Sequence, residues 1–174
     1  FKCKLFDNLD KILKLKNLDA VYISSPPRFH FSMAKKALLL NKHVIIEKPA
    51  VTNFNQAKIL RKIANKNKVI IMEAFMYKFH NQFINLLKIF KKIKDKNQIK
   101  IYATFGYPHT DKDNYRYKVN LGGGSLLDVG CYTVSAFRYL SNENLLLKKA
   151  TIFKKKNQVD LKGIAEFKSV KSII

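Results

Sequence analysis

The chain has 174 residues, of which 47% are hydrophobic, and its formal net charge at neutral pH is +22. The apolar content excludes a disordered chain, and no apolar run reaches the roughly 20 residues of a membrane span or forms the core of a signal peptide. Only four of the 34 basic residues are arginines, and the lysines are spread along the whole chain. Because nucleic-acid sites favour clustered arginine, we expect neither nucleic acid nor a membrane as a partner.

The first half of the chain alternates helix-like and strand-like segments. The predicted elements are a helix over residues 9–18, a strand over 20–23, a helix over 31–40, a strand over 43–47, a helix capped by Thr52 or Asn53 that extends to 67, and a strand over 69–72. Each predicted strand is a short apolar run, and the first two end at loops that contain proline. This alternation predicts an α/β fold with a doubly wound parallel sheet, covered on both faces.

The second half changes character from about residue 75. Its predicted elements are an amphipathic helix over residues 82–93, a long strand over 99–107, an irregular polar segment over 108–121, a helix over 125–140, and two strands over 148–153 and 161–167. This order predicts an α+β domain with a mixed or antiparallel sheet, which has too few strands for a complete face. We therefore expect two domains, over residues 1–74 and 75–174.

The first candidate site is Glu47-Lys48-Pro49, at the carboxyl end of the second predicted strand. In open α/β sheets, ligands bind in the crevice outside the carboxyl ends of the strands. An ammonium group at that edge can stabilise the alkoxide that develops as a hydride leaves carbon. Taken alone, a lysine before a proline is more often a solvated strand end, so the tripeptide is a weak signal.

The second candidate site begins at the glycines Gly122-Gly123-Gly124, which precede a predicted helix. Asp128 and Tyr132 follow four residues apart, a spacing that predicts one shared helical face. A tyrosine beside a cationic lysine has its phenolate favoured and can act as a general acid–base. As an isolated pattern, an ordinary helix start with a partly buried tyrosine is the more frequent arrangement.

The third candidate site is the loop Ser24-Ser25-Pro26-Pro27 with His30, which follows the first predicted strand. A loop at that position can contact the ribose or nicotinamide part of a dinucleotide. A single histidine there is more often a capping or packing residue than a ligand.

Three stretches that carry these motifs occur in an order known from one family. They are DAVYISSPPRFHFSMAKKALLLNKHVIIEKP (19–49), IIMEAFMYKFHNQF (70–83) and LGGGSLLDVGCYTVSAFRYL (121–140). Together they resemble the Gfo/Idh/MocA dehydrogenases over nearly all of the chain. The tyrosine form of the last motif is similar to the branch of glucose–fructose oxidoreductase, dimeric dihydrodiol dehydrogenase and NADP-dependent xylose dehydrogenase.

The resemblance implies an oxidoreductase that transfers a hydride between NAD or NADP and a secondary carbinol of a sugar or cyclic diol. Lys48 matches the family's active-site lysine, Tyr132 its acid–base tyrosine, and Asp128 the acidic residue one turn earlier. Arg116 lies where an arginine approaches the substrate. The residues expected at the cofactor are Ser25, Pro26, Pro27, His30, Glu47, Lys48 and Lys78. The exact substrate, NAD versus NADP and the direction of the reaction stay open.

The resemblance also implies roles for the two expected domains. Residues 1–74 would be the C-terminal part of a dinucleotide-binding Rossmann domain. Residues 75–174 would begin a substrate domain, and its sheet would support a homo-oligomer.

The chain departs from the family pattern at two points. Lys78 stands where the family carries arginine, and the two side chains are not interchangeable at a cofactor contact. The first glycine is Gly106, so no G-x-G-x-x-G turn for a pyrophosphate precedes the strands. The chain also does not begin with Met. We therefore expect an internal fragment that lacks the first β-α-β unit.

Two other classes of protein remain as alternatives. A catalytically inactive, truncated remnant would retain the sheet and the motifs without the glycine-rich turn. A basic nucleic-acid-binding module would need clustered charge and exposed aromatic side chains. The only cysteines, Cys3 and Cys131, match no metal-ligand spacing, so we expect no metal site and a reduced, cytoplasmic protein.

Overall fold

The computed structural model describes residues 3–93, 99–108, 111, 113–141, 144–156 and 158–170. The chain divides into two compact units. Unit 1 comprises Phe1–Ala74 with Asn120–Gly122, and unit 2 comprises Phe75–Val119 with Gly123–Ile174.

Unit 1 is built on a parallel three-stranded sheet in the order β1-β2-β3. The strands are β1 (Ala20–Ile23), β2 (His43–Ile46) and β3 (Ile71–Glu73). The helices are α1 (Leu9–Leu13), α2 (Pro27–Leu39) and α3 (Phe54–Asn67). Since α2 and α3 each connect one strand to the next parallel strand, unit 1 contains two consecutive β-α-β crossovers.

The core of unit 1 lies on one face of this sheet. A right-handed crossover places its helix on a fixed side when the strand order runs in one direction, so α2 and α3 belong on the same face. Inward side chains of the strands pack there with helix residues, and the fully buried ones include Leu13, Leu38, Val44, Ile46 and Leu60. On the opposite face, the register partners Tyr22, Ile45 and Met72 are 58%, 37% and 37% exposed. Within the described residues, helices therefore cover one face of the sheet rather than the expected two.

Local sequence explains where two of the helices begin. Helix α2 begins at Pro27, earlier than the predicted residue 31, because proline suits the first helical position, where its missing N–H is not needed. Of the two proposed caps for α3, Asn53 is the one used, and its Oδ1 accepts a hydrogen bond from the Gln56 N–H at 3.1 Å. Helix α1 ends at Leu13, five residues before the predicted end.

Unit 2 combines helices with an antiparallel hairpin. Its longer elements are α4 (Asn81–Lys92), a π-helical turn (Leu126–Gly130), α5 (Cys131–Ser141), β4 (Asn144–Lys154) and β5 (Asp160–Val170). Short 3-10 turns of unit 2 lie at Met76–Phe79 and Tyr115–Tyr117. A third, Val119–Leu121, begins with the last residue of unit 2 before the unit 1 segment Asn120–Gly122. The predicted helix over 125–140 is therefore present, but its first turn is π-helical and continues directly into α5.

The predicted strand over residues 99–107 is wrong. Residues 99–108 belong to no helix or strand, and residues 102–108 are exposed. A strand needs a neighbour to accept and donate its backbone hydrogen bonds, whatever its own side-chain pattern. Among the strands that the structure describes in unit 2, β4 pairs only with β5.

The predicted α/β class with a parallel sheet is confirmed, apart from the covering of both sheet faces. Unit 1 has the α/β arrangement with a parallel, Rossmann-like sheet, and unit 2 carries a separate antiparallel sheet. Across the described part of the chain, no helix has the length and apolarity to cross a bilayer.

Candidate active site

Two loops of unit 1 meet at the carboxyl edge of the parallel sheet. One follows β1 and contains Ser25–Pro27, and the other follows β2 and contains Glu47–Pro49. Because β1 and β2 are hydrogen-bonded in parallel, from Ala20 beside His43 to Ile23 beside Ile46, their ends lie side by side. The structure thus brings together the two loops that the sequence assigned to the cofactor.

His30 contacts both of these loops. Its side chain belongs to α2 and is 1% exposed. Nδ1 lies 2.8 Å from the carbonyl oxygen of Pro49, and Nε2 lies 2.6 Å from the carbonyl oxygen of Ser25. Both ring nitrogens therefore face backbone carbonyl oxygens, one in each loop.

Carboxylates at the ends of β2 and β3 fix the second loop. Glu47 accepts a hydrogen bond from the Tyr22 hydroxyl and, through Oε2, one from the Lys48 N–H at 3.3 Å. The hydrogen bond to Glu47, followed by burial and the carboxylate charge, raises the pKa of Tyr22. Glu73 Oε1 accepts from the Ala50 N–H at 2.8 Å. The backbone N–H groups of Lys48 and Ala50 are thus each hydrogen-bonded to an acidic side chain.

Sequence reasoning missed Glu73 and Tyr22. The rule that pointed to Glu47, a polar residue at the carboxyl end of a parallel strand, applies equally to Glu73 after the third predicted strand. No comparable signal in the sequence indicated Tyr22, since its partner Glu47 is 25 residues away.

Unit 2 contains a polar cluster centred on the buried carboxylate of Asp128. Arg116 Nε donates to Asp128 Oδ2 at 2.7 Å, and the Tyr107 hydroxyl donates to the same carboxylate. Asn114 Oδ1 accepts from Arg116 Nη1 at 3.3 Å and from the Arg116 N–H at 3.1 Å. The guanidinium of Arg116, which the sequence assigned to substrate, thus makes a charge-assisted bond to Asp128, itself a predicted site residue.

The glycine turn holds the backbone beside this cluster. Gly124 N donates to the Arg116 carbonyl oxygen at 3.0 Å. A Cβ atom at Gly123 would lie 2.4 Å from that same oxygen, which no real side chain tolerates. A glycine at this position therefore permits the close approach that sets Arg116 opposite Asp128.

Electrostatics keep the two donors of this cluster protonated. Burial, then the charge of Asp128 and its hydrogen bond, raise the pKa of Tyr107 to about 12, with Tyr117 adding to the effect and Arg116 opposing it. Burial alone lowers the pKa of Arg116, but its hydrogen bond with Asp128 and the carboxylate charge outweigh burial and raise it. At neutral pH, Asp128 accordingly faces a neutral phenol and a charged guanidinium.

We expect Tyr107→Phe to leave the phenolate absorbance at pH 11 almost unchanged. A phenol with a pKa of about 12 is roughly one-tenth ionised at that pH, whereas one at the ordinary value of 10 is roughly nine-tenths ionised. Because folding raises this pKa, the stabilising contribution is present below pH 10 and is lost as the pH rises towards 12. Ultraviolet difference titration of the two proteins measures the change, and loss of nearly one full phenolate would contradict the assignment.

Tyr132 lies in a cluster of aromatic rings in unit 2. Its ring centroid is 5.3 Å from that of Phe75, 5.2 Å from that of Phe105 and 6.1 Å from that of Tyr77. Its hydroxyl donates to the Met76 sulfur at 3.5 Å. Edge-to-face packing of this kind orients the ring while the half-buried hydroxyl retains a weak partner.

Lys78 packs its ammonium against aromatic rings of unit 2. Nζ lies 4.2 Å from the ring centroid of Tyr139 and 4.9 Å from that of Phe75. These distances are those of cation–π contacts, which account for a cation at this position within unit 2 itself. The cofactor contact of Lys78 remains a prediction.

The residues of unit 1 fit one end of a nicotinamide dinucleotide. Of the predicted cofactor residues, Glu47 has carboxylate acceptors and Lys48 ammonium donors of the kind that bond a carboxamide and ribose hydroxyl groups, whereas Pro26 and Pro27 have no backbone N–H to donate. No glycine precedes Gly106, so the strand–helix turns of unit 1 provide no glycine-rich cradle for a pyrophosphate. Among the described residues, no group of three His, Cys, Asp or Glu side chains is placed to hold a metal ion.

A parallel α/β sheet with polar loops at the carboxyl ends of neighbouring strands is the architecture of the Rossmann class of dinucleotide-binding domains. Residues 1–75 match the family described as "Oxidoreductase family, NAD-binding Rossmann fold". Residues 1–75 therefore belong to this Gfo/Idh/MocA oxidoreductase family, as the motifs predicted. The predicted nicotinamide cofactor agrees with the family's description as NAD-binding.

Relatives of known activity align with most of this chain. The dTDP-3,4-didehydro-2,6-dideoxy-alpha-D-glucose 3-reductase of Saccharopolyspora spinosa is 29% identical, over 94% of this chain and 49% of its own length. The trans-1,2-dihydrobenzene-1,2-diol dehydrogenase of Xenopus laevis is 33% identical, over 75% of this chain and 39% of its own. A crystal structure of a 3-ketoreductase variant from Actinomadura kijaniata with TDP-benzene and NADP has a TM-score of 0.80 at 27% identity, covering 92% of this chain and 50% of that one. The chain spans about half the length of the proteins that it matches, or somewhat less.

Proposed function

We propose that the protein is an oxidoreductase that transfers a hydride between NAD or NADP and a secondary carbinol, or the corresponding ketone, of a sugar or cyclic diol. The observation that supports this most is Lys48, whose loop at the carboxyl end of β2 is fixed by Glu73 and, through Pro49, by His30. A reactive lysine needs such a rigid support if its ammonium is to stabilise charge that develops on a substrate oxygen.

In this proposal the chain supplies the proton chemistry. The Tyr132 phenol gives a proton to the substrate oxygen during reduction and takes it back during oxidation. The Lys48 ammonium stabilises the alkoxide at that oxygen, while Asp128, held by Arg116 and Tyr107, orients the polar groups of the substrate. A bound nicotinamide supplies or accepts the hydride.

The relatives support the proposed substrate class. They include a reductase of a keto sugar attached to a nucleotide and a dehydrogenase of a cyclic diol. Both substrates are rings that carry a keto or hydroxyl group, so we propose the interconversion of a ring carbinol and a ketone for this protein and leave the choice of ring substituents to experiment.

The experiment is a spectrophotometric assay of nicotinamide oxidation and reduction with NADH, NADPH and their oxidised forms. The substrate panel contains nucleotide-linked keto sugars, free aldoses and cyclic trans-diols. Lys48→Met should lower kcat about 100-fold, because removal of one group that stabilises an oxyanion has an effect of that size. The control is Lys62→Met, which removes an exposed lysine of α3 with the same change of charge. We expect its kcat to match that of the parent.

Two results would contradict the proposal. Equal activity of Lys48→Met and the parent would remove the lysine from the mechanism. Absence of turnover with every substrate and cofactor, in a folded parent protein, would instead favour an inactive relative of the family.

A further inference from the structure

Asp160, the first residue of β5, contacts the start of the helical segment that carries Asp128 and Tyr132. Asp160 Oδ2 accepts a hydrogen bond from the Ser125 hydroxyl at 2.7 Å and one from the Leu126 N–H at 2.6 Å. A free N–H at a helix start is ordinarily satisfied by the residue that precedes the helix. Here a carboxylate 34 residues further along the chain satisfies it.

Gly124 makes room for this carboxylate. Its φ angle is +121°, and a Cβ atom built at this position would lie 2.2 Å from Asp160 Oδ1. Any side chain here would therefore expel the carboxylate, and the backbone angle itself favours glycine. The Gly124 carbonyl oxygen also accepts a hydrogen bond from the Asp128 N–H at 3.0 Å. The same turn that receives Asp160 is thus bonded directly to the backbone of a site residue.

The charge of Asp160 suits its position. Unpaired N–H groups give a helix start a partial positive charge, which a carboxylate stabilises. The bond from the Ser125 hydroxyl is part-buried and therefore stronger than it would be in water, whereas the bond from the Leu126 N–H is exposed. Asp160 therefore holds the first helical turn both by hydrogen bonding and by charge.

We propose that Asp160 is a positioning residue for the reaction, which fixes the helical turn that presents Asp128 and Tyr132. The inference rests on the proposed function for the roles of those two residues. Asp160 itself does not contact the reacting groups in this account. It acts through the Ser125 hydroxyl and the Leu126 N–H that it holds. A displacement of a reacting group by about 1 Å lowers turnover about 100-fold.

Three variants separate the hydrogen bonds from the charge. Asp160→Ala removes both bonds, and Asp160→Asn retains both, because a single oxygen accepts them and the asparagine carbonyl replaces it. Ser125→Ala removes only the hydroxyl bond and keeps the Leu126 bond, so it remains informative should Asp160→Ala not fold. The control is Asp7→Ala, which removes an exposed carboxylate paired with Lys11 in unit 1.

The first readout is hydrogen exchange of the amides over residues 125–132, followed by mass spectrometry of the full chain. We expect exchange to be about tenfold faster in Asp160→Ala, because the loss of a helix cap has an effect of that size. Exchange should be about threefold faster in Ser125→Ala and unchanged in Asp7→Ala. Asp160→Asn should stay within about threefold of the parent. Equal exchange in Asp160→Ala, or in Ser125→Ala should the former not fold, would overturn the proposal.

The second readout is steady-state kinetics with the substrate found in the cofactor assay. We expect kcat of Asp160→Ala to fall about 100-fold with KM within about twofold, and Asp160→Asn to recover most of kcat. Faster exchange with unchanged kcat would overturn the positioning role while leaving the oxidoreductase function intact. Faster exchange in a chain whose parent is inactive would instead refute the proposed function, and the positioning role with it.

Discussion

Tyr132→Phe is expected to lower kcat by about 10²–10⁴-fold, the usual contribution of a positioned general acid–base. Phenylalanine keeps the ring and therefore the contacts with Phe75, Phe105 and Tyr77. It loses only the hydroxyl, whose weak bond to the Met76 sulfur contributes little to folding. Steady-state kinetics measure kcat, and a cofactor titration by fluorescence should give nearly the same affinity as in the parent.

A matched tyrosine provides the control for this result. Tyr102 is 87% exposed, so Tyr102→Phe makes the same chemical change away from any packed ring. Its kcat should equal that of the parent protein. Unchanged turnover in Tyr132→Phe would remove the tyrosine from the catalytic step, whereas equal losses in both variants would indicate an effect unrelated to the site.

His30→Leu is expected to lower the free energy of unfolding by about 3 kcal/mol. Leucine fills a similar volume but has no N–H, whereas the protonated ring nitrogen of His30 donates to the carbonyl oxygen of Ser25 or of Pro49 that faces it. A buried carbonyl left without its donor costs about 1–3 kcal/mol. The loss is large because His30 is only 1% exposed, so water does not replace the imidazole. Urea unfolding followed by circular dichroism gives the difference.

The control for the histidine change lies in unit 2. His80 is exposed and caps α4, with Nδ1 accepting a hydrogen bond from the Gln82 N–H at 3.2 Å. Asparagine is a favoured cap, so His80→Asn should change the free energy of unfolding by less than about 0.5 kcal/mol. A loss below about 1 kcal/mol in His30→Leu would mean that the imidazole does not hold the two loops together.

The distinction between these two histidines could not be made from the sequence. Each follows a plausible turn, and His30 was assigned to the cofactor because of its position after the first strand. The structure engages both of its ring nitrogens with backbone of two loops, so its effect on a cofactor would be exerted through those loops. Burial and the second partner, Pro49, depend on how α2 packs on the sheet.

The sequence by itself determined the elements of unit 1, their parallel arrangement and the family. Short apolar runs bounded by prolines, and an asparagine at the start of α3, are local signals that act on neighbouring residues along the chain. Ligands bind outside the carboxyl ends of parallel strands, and these ends lie at the same edge of the sheet. This rule pointed to the loops at Ser25 and Lys48 as candidate cofactor contacts from the sequence alone.

Only the tertiary structure decided which side chains hold the site. The pairing of Tyr107 with Asp128, the bond from Ser125 to Asp160 and the missing strand over 99–107 all depend on partners distant in sequence. A hydrogen bond between residues 35 positions apart produces no periodic pattern in the sequence, since it depends on how the intervening α5 and β4 pack. Local patterns specify which elements form, whereas long-range packing specifies which of their polar groups meet.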